Sequence, residues 1–292
     1  MAQEDASADA DSAYNESIGT ASYESSITSS IRNYNAFKNG RRYHAYHEGS
    51  YVLPNDDEEQ DRMDLLNHIY RLVLGGNLHL SPIGPNPQRV LDIGTGTGIW
   101  AIQFAEEYPS AQVIGTDLSP VDDYEQEWLY KNKFDFIHGR ELNGFVADYD
   151  RLFSQAFKHL KSGGYFEMQS TEAEILRNEE TDKEPRYTHI LQKCMHEWKE
   201  KMEKAGFVDV KDVQYKLPNG RWPKDPKLKE IGMYHQVQQI QAVDAYAFAL
   251  LSRILGWSQP EIQVLCAHVR NELKDPSMHL YNIVRFVYGR KP

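Results

Sequence analysis

The chain has 292 residues, of which 40% are hydrophobic, enough for one large α/β domain with additions or for two small domains. Its net charge of −11 argues against a broad nucleic-acid-binding surface, so no direct contact with nucleic acid is expected. The two cysteines are too few for a disulfide framework and stand outside any metal-ligand spacing, so no metal site is expected.

The first part of the chain reads as a polar tail followed by a helical segment. Residues 1–30 contain no Lys or Arg and are rich in Ser, Ala, Asp and Glu, which predicts a disordered tail, with or without a binding role. No basic-plus-apolar leader and no apolar run of about 20 residues occurs. We therefore expect an intracellular protein, cytoplasmic or nuclear, that is neither secreted nor membrane-spanning.

Residues 31–88 are predicted to form a helical cap segment. One helix within it follows an acidic stretch and stops at Gly75 and Gly76, a pattern typical of helix ends. Its predicted apolar face consists of Met63, Leu66, Ile69, Tyr70 and Val73.

Residues 89–292 are predicted to form the main domain, in which strands alternate with helices. Strands are expected at 89–93, 112–116, 134–138 and 165–169, with helices at 99–107 and about 152–160. This alternation favours an α/β fold with a Rossmann-like, doubly wound, mostly parallel sheet.

A helical insert on the substrate side is expected at about 171–282, before a final strand near 283–288. The predicted elements within the insert are helices at about 187–205 and 226–255, a strand at 207–210, and a helix from Ser258 with Glu261 in a capping box.

A glycine-rich segment follows the first strand of the main domain. Asp92, Gly94, Thr95, Gly96 and Gly98 lie where glycines permit a tight turn and the close approach of a ligand. The G-x-G-x-G spacing differs from the G-x-G-x-x-G of dinucleotide sites, which disfavours an NAD(P) oxidoreductase. No Gly-Lys-Ser/Thr follows, which excludes a Walker A loop. A carboxylate two residues before the first glycine suits a ligand with ammonium and sulfonium groups, such as S-adenosylmethionine (SAM).

Asp117 ends the next predicted strand, where a carboxylate can accept hydrogen bonds from both hydroxyls of a ribose. The glycine loop alone is a weak signal, because a structural turn is the alternative explanation. The loop, Asp92 and Asp117 together predict a SAM-type nucleoside site.

Several segments resemble one known family, the fungal LaeA-like class I SAM-dependent methyltransferases. The similar segments, which occur in the family's order, are 91–98, 115–120, 134–138, 159–165, 217–226 and 288–291. The resemblance covers about residues 40–292 and implies SAM as cofactor, in a class I fold with added N-terminal and C-terminal helices. It implies either methylation of a small metabolite or a role in regulating secondary metabolism. The corresponding partners are a small-molecule substrate or a velvet-type protein.

The interval between Asp117 and Phe134 is short for this family. Its sixteen residues cannot hold a crossover helix, an added strand and a return, so one edge strand is expected to be missing or shortened. Leu118, Asp122 and Asp123 remain candidate cofactor contacts in this interval. Three explanations stay open: a rearranged but working cofactor site, a degenerate and non-catalytic interaction protein, and a sequence that lacks coding material.

Substrate-contacting residues are expected near the carboxyl ends of the strands. Methyl transfer mainly requires alignment of the nucleophile, so a general base is not obligatory. His138 is the candidate catalytic residue, with a purely structural histidine as the alternative. Arg140, two residues later, is a candidate substrate or lid residue. Tyr43, His44 and Tyr46 are candidates to close over the cofactor, with packing against the domain as the alternative.

Overall fold

A computed structural model describes most of the chain beyond its N-terminal part. The described residues are 35–38, 41–44, 53–117, 126–143, 145–172, 175–177, 197–253 and 256–292. The predicted tail over residues 1–30 lies outside these ranges, as do Tyr46, Leu118, Asp122 and Asp123. Within them, no helix has the length and apolar character needed to cross a membrane.

The described strands form a small hairpin and one larger sheet. The strands are β1 (Asn35–Lys38), β2 (Arg41–His44), β3 (Arg89–Ile93), β4 (Gln112–Thr116), β5 (Phe134–Arg140), β6 (Leu160–Thr171), β7 (Leu176–Arg177), β8 (Val208–Pro218) and β9 (Leu280–Arg290). β1 and β2 pair antiparallel. The other strands follow the order β4-β3-β5-β6-β9, and both β7 and β8 pair with β9.

Strands β3, β4, β5 and β6 run parallel, and β9 is antiparallel to β6. This topology confirms the predicted Rossmann-like α/β sheet. In the described part of the chain, β4 pairs only with β3 and forms an edge of the sheet. Residues 118–125, where that edge strand would begin, lie outside the described ranges, so the expectation that it is missing or shortened stays a prediction.

The described helices carry the capping signals that the sequence predicts. They are α1 (Asp57–Val73), α2 (Ile99–Glu107), α3 (Tyr149–His159), α4 (Trp198–Lys204), α5 (Pro226–Arg253), α6 (Gln259–Lys274) and a short 3-10 turn (Pro276–Met278). Gly75 and Gly76, with φ of 67° and 100°, follow the end of α1. Ser258 and Glu261 form the predicted capping box of α6, in which the Ser258 N–H donates to Glu261 Oε2 at 2.8 Å.

Two segments expected to be helical also contain strands. The 31–88 segment carries the β1–β2 hairpin as well as α1, and the 171–282 segment contributes β7 and β8 to the sheet. β8 is eleven residues long, whereas the sequence predicted a strand only at 207–210. Its outward residues are largely polar and exposed, so apolar alternation could not reveal its length. The boundaries proposed between the segments stay predictions.

The packing of the two sheet faces determines where polar side chains can gather. On one face, α3 and α4 cover apolar residues of β3, β5 and β6, among them Leu91, Ile137 and Phe166. On the opposite face, Val90 and Phe136 pack with α2. Since side chains alternate across a sheet, the residues two positions after Val90 and Phe136 lie on the α2 face, at the carboxyl ends of their strands.

Candidate functional site

The turn between β3 and α2 adopts a conformation that favours glycine. Gly94, Gly96 and Gly98 have φ of 65°, 55° and 78°, in the left-handed region where a side chain is strained. The Thr95 N–H donates to the carbonyl of Thr116 at 2.8 Å, which ties the turn to the end of β4. The predicted glycine loop therefore lies across the carboxyl ends of β3 and β4.

Asp92, at the end of β3, is buried, and both of its carboxylate oxygens accept hydrogen bonds. Thr95 Oγ1 donates to Oδ2 at 2.7 Å, and His138 Nδ1 lies 2.7 Å from Oδ1. The His138 ring is fully buried and stacks on Trp100, with 3.7 Å between ring centroids. Burial lowers the pKa of His138, while the hydrogen bond with Asp92 acts in the opposite direction. The neutral ring donates its Nδ1–H to Asp92.

Asp117 lies directly after β4, on the other side of the glycine loop from Asp92. Its Oδ2 accepts a hydrogen bond from the Gly96 N–H at 2.9 Å. The two carboxylates predicted from the sequence therefore flank the same turn.

A cleft of about 100 Å³ lies between the glycine loop, α1, the end of β5 and α5. The predicted residues that line it are Asp92, Gly94, Thr95, Gly96, Asp117, His138 and Arg140. Gly98, the N-cap of α2, is not part of this lining. Tyr43 is buried in β2 beside Pro54, also outside the lining, and His44 ends that strand.

The cleft also contains residues that sequence reasoning missed. They are Leu53, Arg62, Met63, Leu66, Asn67, Thr97, Ile99, Trp100, Glu141, Leu142, Phe145 and Tyr246. Met63 was predicted to lie on the buried face of α1, but the end of its side chain packs against Gly96. Tyr246 comes from α5, and no local sequence signal connects that helix with the glycine loop.

Arg140 ends β5 and is held by amide side chains. Its Nε donates to Gln169 Oε1 at 2.8 Å, and its Nη1 donates to Asn67 Oδ1 at 2.6 Å. The guanidinium lies over the ring of Tyr70, 4.5 Å from the centroid. These contacts fix the plane of the guanidinium at the edge of the cleft.

Glu141 has an unusual backbone conformation, with φ of 53°. Its carboxylate accepts hydrogen bonds from the Tyr70 hydroxyl and from the Thr171 N–H, the latter at 3.0 Å. Burial raises the pKa of Tyr70 well above its usual value, so the hydroxyl stays protonated and serves as the donor. The strained residue is held by these contacts beside the cleft.

The donor set fits a SAM-type ligand, although the cleft is narrow in this conformation. Typical small-molecule sites measure roughly 300–1,000 Å³. Here the far ends of two flexible side chains, Met63 and Leu142, pack against Gly96 and Gly94 and occupy the surface of the turn. A larger cavity of about 220 Å³, beside Asp148 and Arg151, shares no lining residue with this cleft.

Known proteins resemble this chain over most of its length. A family profile described as a methyltransferase domain matches residues 66–212. The methyltransferase pytC of Aspergillus terreus is 36% identical, and the alignment covers 94% of each chain. The secondary metabolism regulator LAE1 of Cochliobolus heterostrophus is 30% identical over 89% of this chain and 96% of its own. A phosphoethanolamine N-methyltransferase structure from Haemonchus contortus is 18% identical over 95% of this chain and 75% of its own, with a TM-score of 0.46.

Proposed function

The chain belongs to the LaeA-like SAM-dependent methyltransferases, and we propose that it binds SAM in the cleft between the glycine loop, α1, α5 and the end of β5. One observation carries this proposal: Asp92 and Asp117 flank a turn of three left-handed glycines at the carboxyl ends of adjacent parallel strands. In open α/β sheets, ligands bind at this edge.

The residues of the cleft match the chemical groups of SAM, which supplies a methyl group on a positively charged sulfur. Asp92, held by Thr95 and His138, offers a fixed negative charge to the cationic end of the ligand. Asp117 can exchange its bond with the Gly96 N–H for hydrogen bonds from ribose hydroxyls. Leu118 and the two acids that follow it in sequence stay predicted contacts.

The acceptor is proposed to be a small metabolite of secondary metabolism that enters between α1 and α5. The lining of the cleft also includes Arg62, Glu141, Phe145 and Tyr246. Burial raises the pKa of Tyr246 to about 12, so its hydroxyl stays a hydrogen-bond donor. These residues would orient the acceptor and exclude water, which is the main requirement for methyl transfer.

His138 is proposed to position Asp92 rather than to contact the acceptor. Its ring is fully buried, stacked on Trp100, and joined to Asp92 through Nδ1. This environment suits a residue that orients a carboxylate better than one that exchanges protons with a substrate.

A non-catalytic protein with this fold is not favoured, because both candidate carboxylates and the glycine turn are in place and a relative is a methyltransferase. LAE1 is a regulator of secondary metabolism. A comparable regulatory role for this chain, with a velvet-type protein partner, is a proposal that rests on this similarity. A nuclear or cytoplasmic location stays a prediction.

Calorimetry with SAM and S-adenosylhomocysteine tests the cofactor site. We expect the wild type to bind both ligands and Gly96→Arg to bind SAM at least about 100-fold more weakly, because its side chain must enter the cleft. Gly163→Arg is the matched control, since Gly163 also has a positive φ, of 80°, but has no neighbouring atom within 4 Å of an added Cβ. Folded wild type that binds neither ligand would contradict the proposed function.

A further inference from the structure

We infer that Arg140 binds the carboxylate at the methionine end of the cofactor, so that the cleft recognises SAM as a zwitterion. This inference rests on the proposed SAM site. The Nη2 of Arg140 is buried and has no hydrogen-bond partner among the described residues. A buried donor without a partner costs free energy, and the cost is greater for a charged group.

The contacts of Arg140 leave its charge without a paired acid. Its two side-chain partners are the neutral amides of Gln169 and Asn67, and it takes part in none of the ion pairs between described residues. Burial lowers the pKa of Arg140, but a guanidinium remains charged at neutral pH. An anion is therefore the complementary ligand for Nη2.

The nearby acids are engaged elsewhere. Asp92, Glu141 and Glu167 raise the pKa of Arg140 electrostatically without forming an ion pair with it. Glu167 accepts hydrogen bonds from the backbone and hydroxyl of Ser81, at 2.7 and 2.6 Å. Glu141 is held by Tyr70 and the β6 backbone, and Asp92 by Thr95 and His138. A carboxylate on a ligand can form the ion pair with Arg140 that these three acids do not form.

The position of Arg140 suits the two charges of one amino-acid group. Asp92 lies directly opposite His138 in the register of β3 and β5. Arg140 follows two residues after His138, which puts the Cα atoms of these two residues about 7 Å apart at the usual rise of a strand. The lining of the cleft therefore includes the carboxylate of Asp92, which can bind the ammonium of SAM, and the guanidinium of Arg140, which can bind its carboxylate. The other arginine in the lining, Arg62, already pairs with Glu59 through its Nε at 2.9 Å.

The guanidinium is also oriented before any ligand arrives. Gln169 and Asn67 hold Nε and Nη1, so presenting Nη2 costs little further side-chain entropy. A lysine ammonium has no fork with which to satisfy both amides and a ligand at once.

The test compares SAM with decarboxylated SAM, which lacks the carboxylate but keeps the ammonium, the sulfonium and the nucleoside. We expect wild type to prefer SAM by about 10- to 100-fold, the usual range for a hydrogen bond between charged groups. In Arg140→Gln, SAM affinity should fall by that factor while the affinity for decarboxylated SAM changes little. Equal losses for both ligands, or no loss for SAM, would overturn the inference.

Asn67→Asp provides a second variant that keeps the native arginine. The substitution is isosteric and places a carboxylate where Arg140 Nη1 now meets an amide oxygen at 2.6 Å. The internal acid should lower the preference for SAM over decarboxylated SAM, and an unchanged preference would count against the inference. If wild type binds neither compound, the proposed SAM site fails. If it binds both equally, the site survives and only the role of Arg140 fails.

Discussion

The hydrogen bond between His138 and Asp92 joins β5 to β3 beneath the cleft. The register of the two strands places these residues directly opposite each other. The ring of His138 is fully buried and fixed against Trp100, so its orientation is set by packing as well as by the hydrogen bond. Its contribution to cofactor binding therefore passes through the orientation of the Asp92 carboxylate.

Two substitutions at His138 separate orientation from proton transfer. His138→Leu removes the donor to Asp92, and we expect SAM to bind about 10-fold more weakly. His138→Asn keeps an N–H donor at nearly the same position as Nδ1 and should restore most of the affinity, although it has no ring nitrogen that titrates.

Titration calorimetry with SAM, at constant pH, measures both variants. If His138→Asn loses as much affinity as His138→Leu although both fold, the donor to Asp92 is not what the cofactor requires.

At the scale of single residues, sequence reasoning identified the groups that follow strand ends. The sequence positions of Asp92 and Asp117 relative to the glycine loop predicted that both lie at the site, and the structure places both beside the loop. Tyr246 and Asn67 could not be found in this way, because they reach the cleft only through the packing of α5 and α1. A helical residue that faces a cleft has the same local sequence context as one that faces the core.

At the scale of elements, the packing of α5 depends on one glycine. The Gly220 N–H donates to the carbonyl of Gly232 at 2.9 Å, so the turn after β8 rests directly on the first part of the helix. A Cβ on Gly232 would overlap the backbone oxygen of Gly220, which cannot move as a flexible side chain can.

Gly232→Ala is therefore expected to lower the free energy of unfolding by about 1–3 kcal/mol, as overpacking usually does. Helix propensity alone predicts the opposite sign, a gain of about 1 kcal/mol. Urea unfolding decides between these effects. Gly84→Ala is the control, since an added Cβ there has no neighbour within 4 Å, and it should change the stability little. Greater stability in Gly232→Ala would show that the turn adjusts freely.

Elements with strong local signals were predicted well, and those defined by pairing were not. Ser258 and Glu261 predict the capping box of α6, and the structure contains it. The full length of β8 depends on its ladder with β9, which is remote in sequence, and its polar face carries no alternating pattern. α5, predicted at about 226–255, runs from Pro226 to Arg253 and packs on α1 and α6.

At the scale of the whole molecule, buried His235 makes stability depend on pH. Its Nδ1 lies 2.9 Å from the Pro218 carbonyl oxygen, and burial lowers its pKa to about 4. Between about pH 6.5 and 4 the unfolded chain binds a proton that the folded chain does not, so stability falls as pH falls. When the pH falls from about 7 to about 5, the titration of this residue should lower the free energy of unfolding by about 2 kcal/mol.

Urea unfolding of wild type and His235→Gln at both pH values measures this contribution. The variant should lose less stability on acidification, because its side chain does not titrate in this range. His68→Gln, at an exposed position on α1, is the control and should follow the wild type. The same pH dependence in wild type and His235→Gln would assign the acid sensitivity to other groups.

The place of β9 in the sheet has a consequence for synthesis on the ribosome. β9 lies between β6 and β8 and contributes buried residues such as Phe286 and Val287, yet it is the last strand of the described chain to emerge. Until it arrives, β6 and β8 both expose unpaired edges, and their partners lie far away in sequence. From the synthesis of β6 until that of β9, the nascent chain therefore carries an open, aggregation-prone sheet edge, and the final closure depends on strand insertion rather than on stepwise growth.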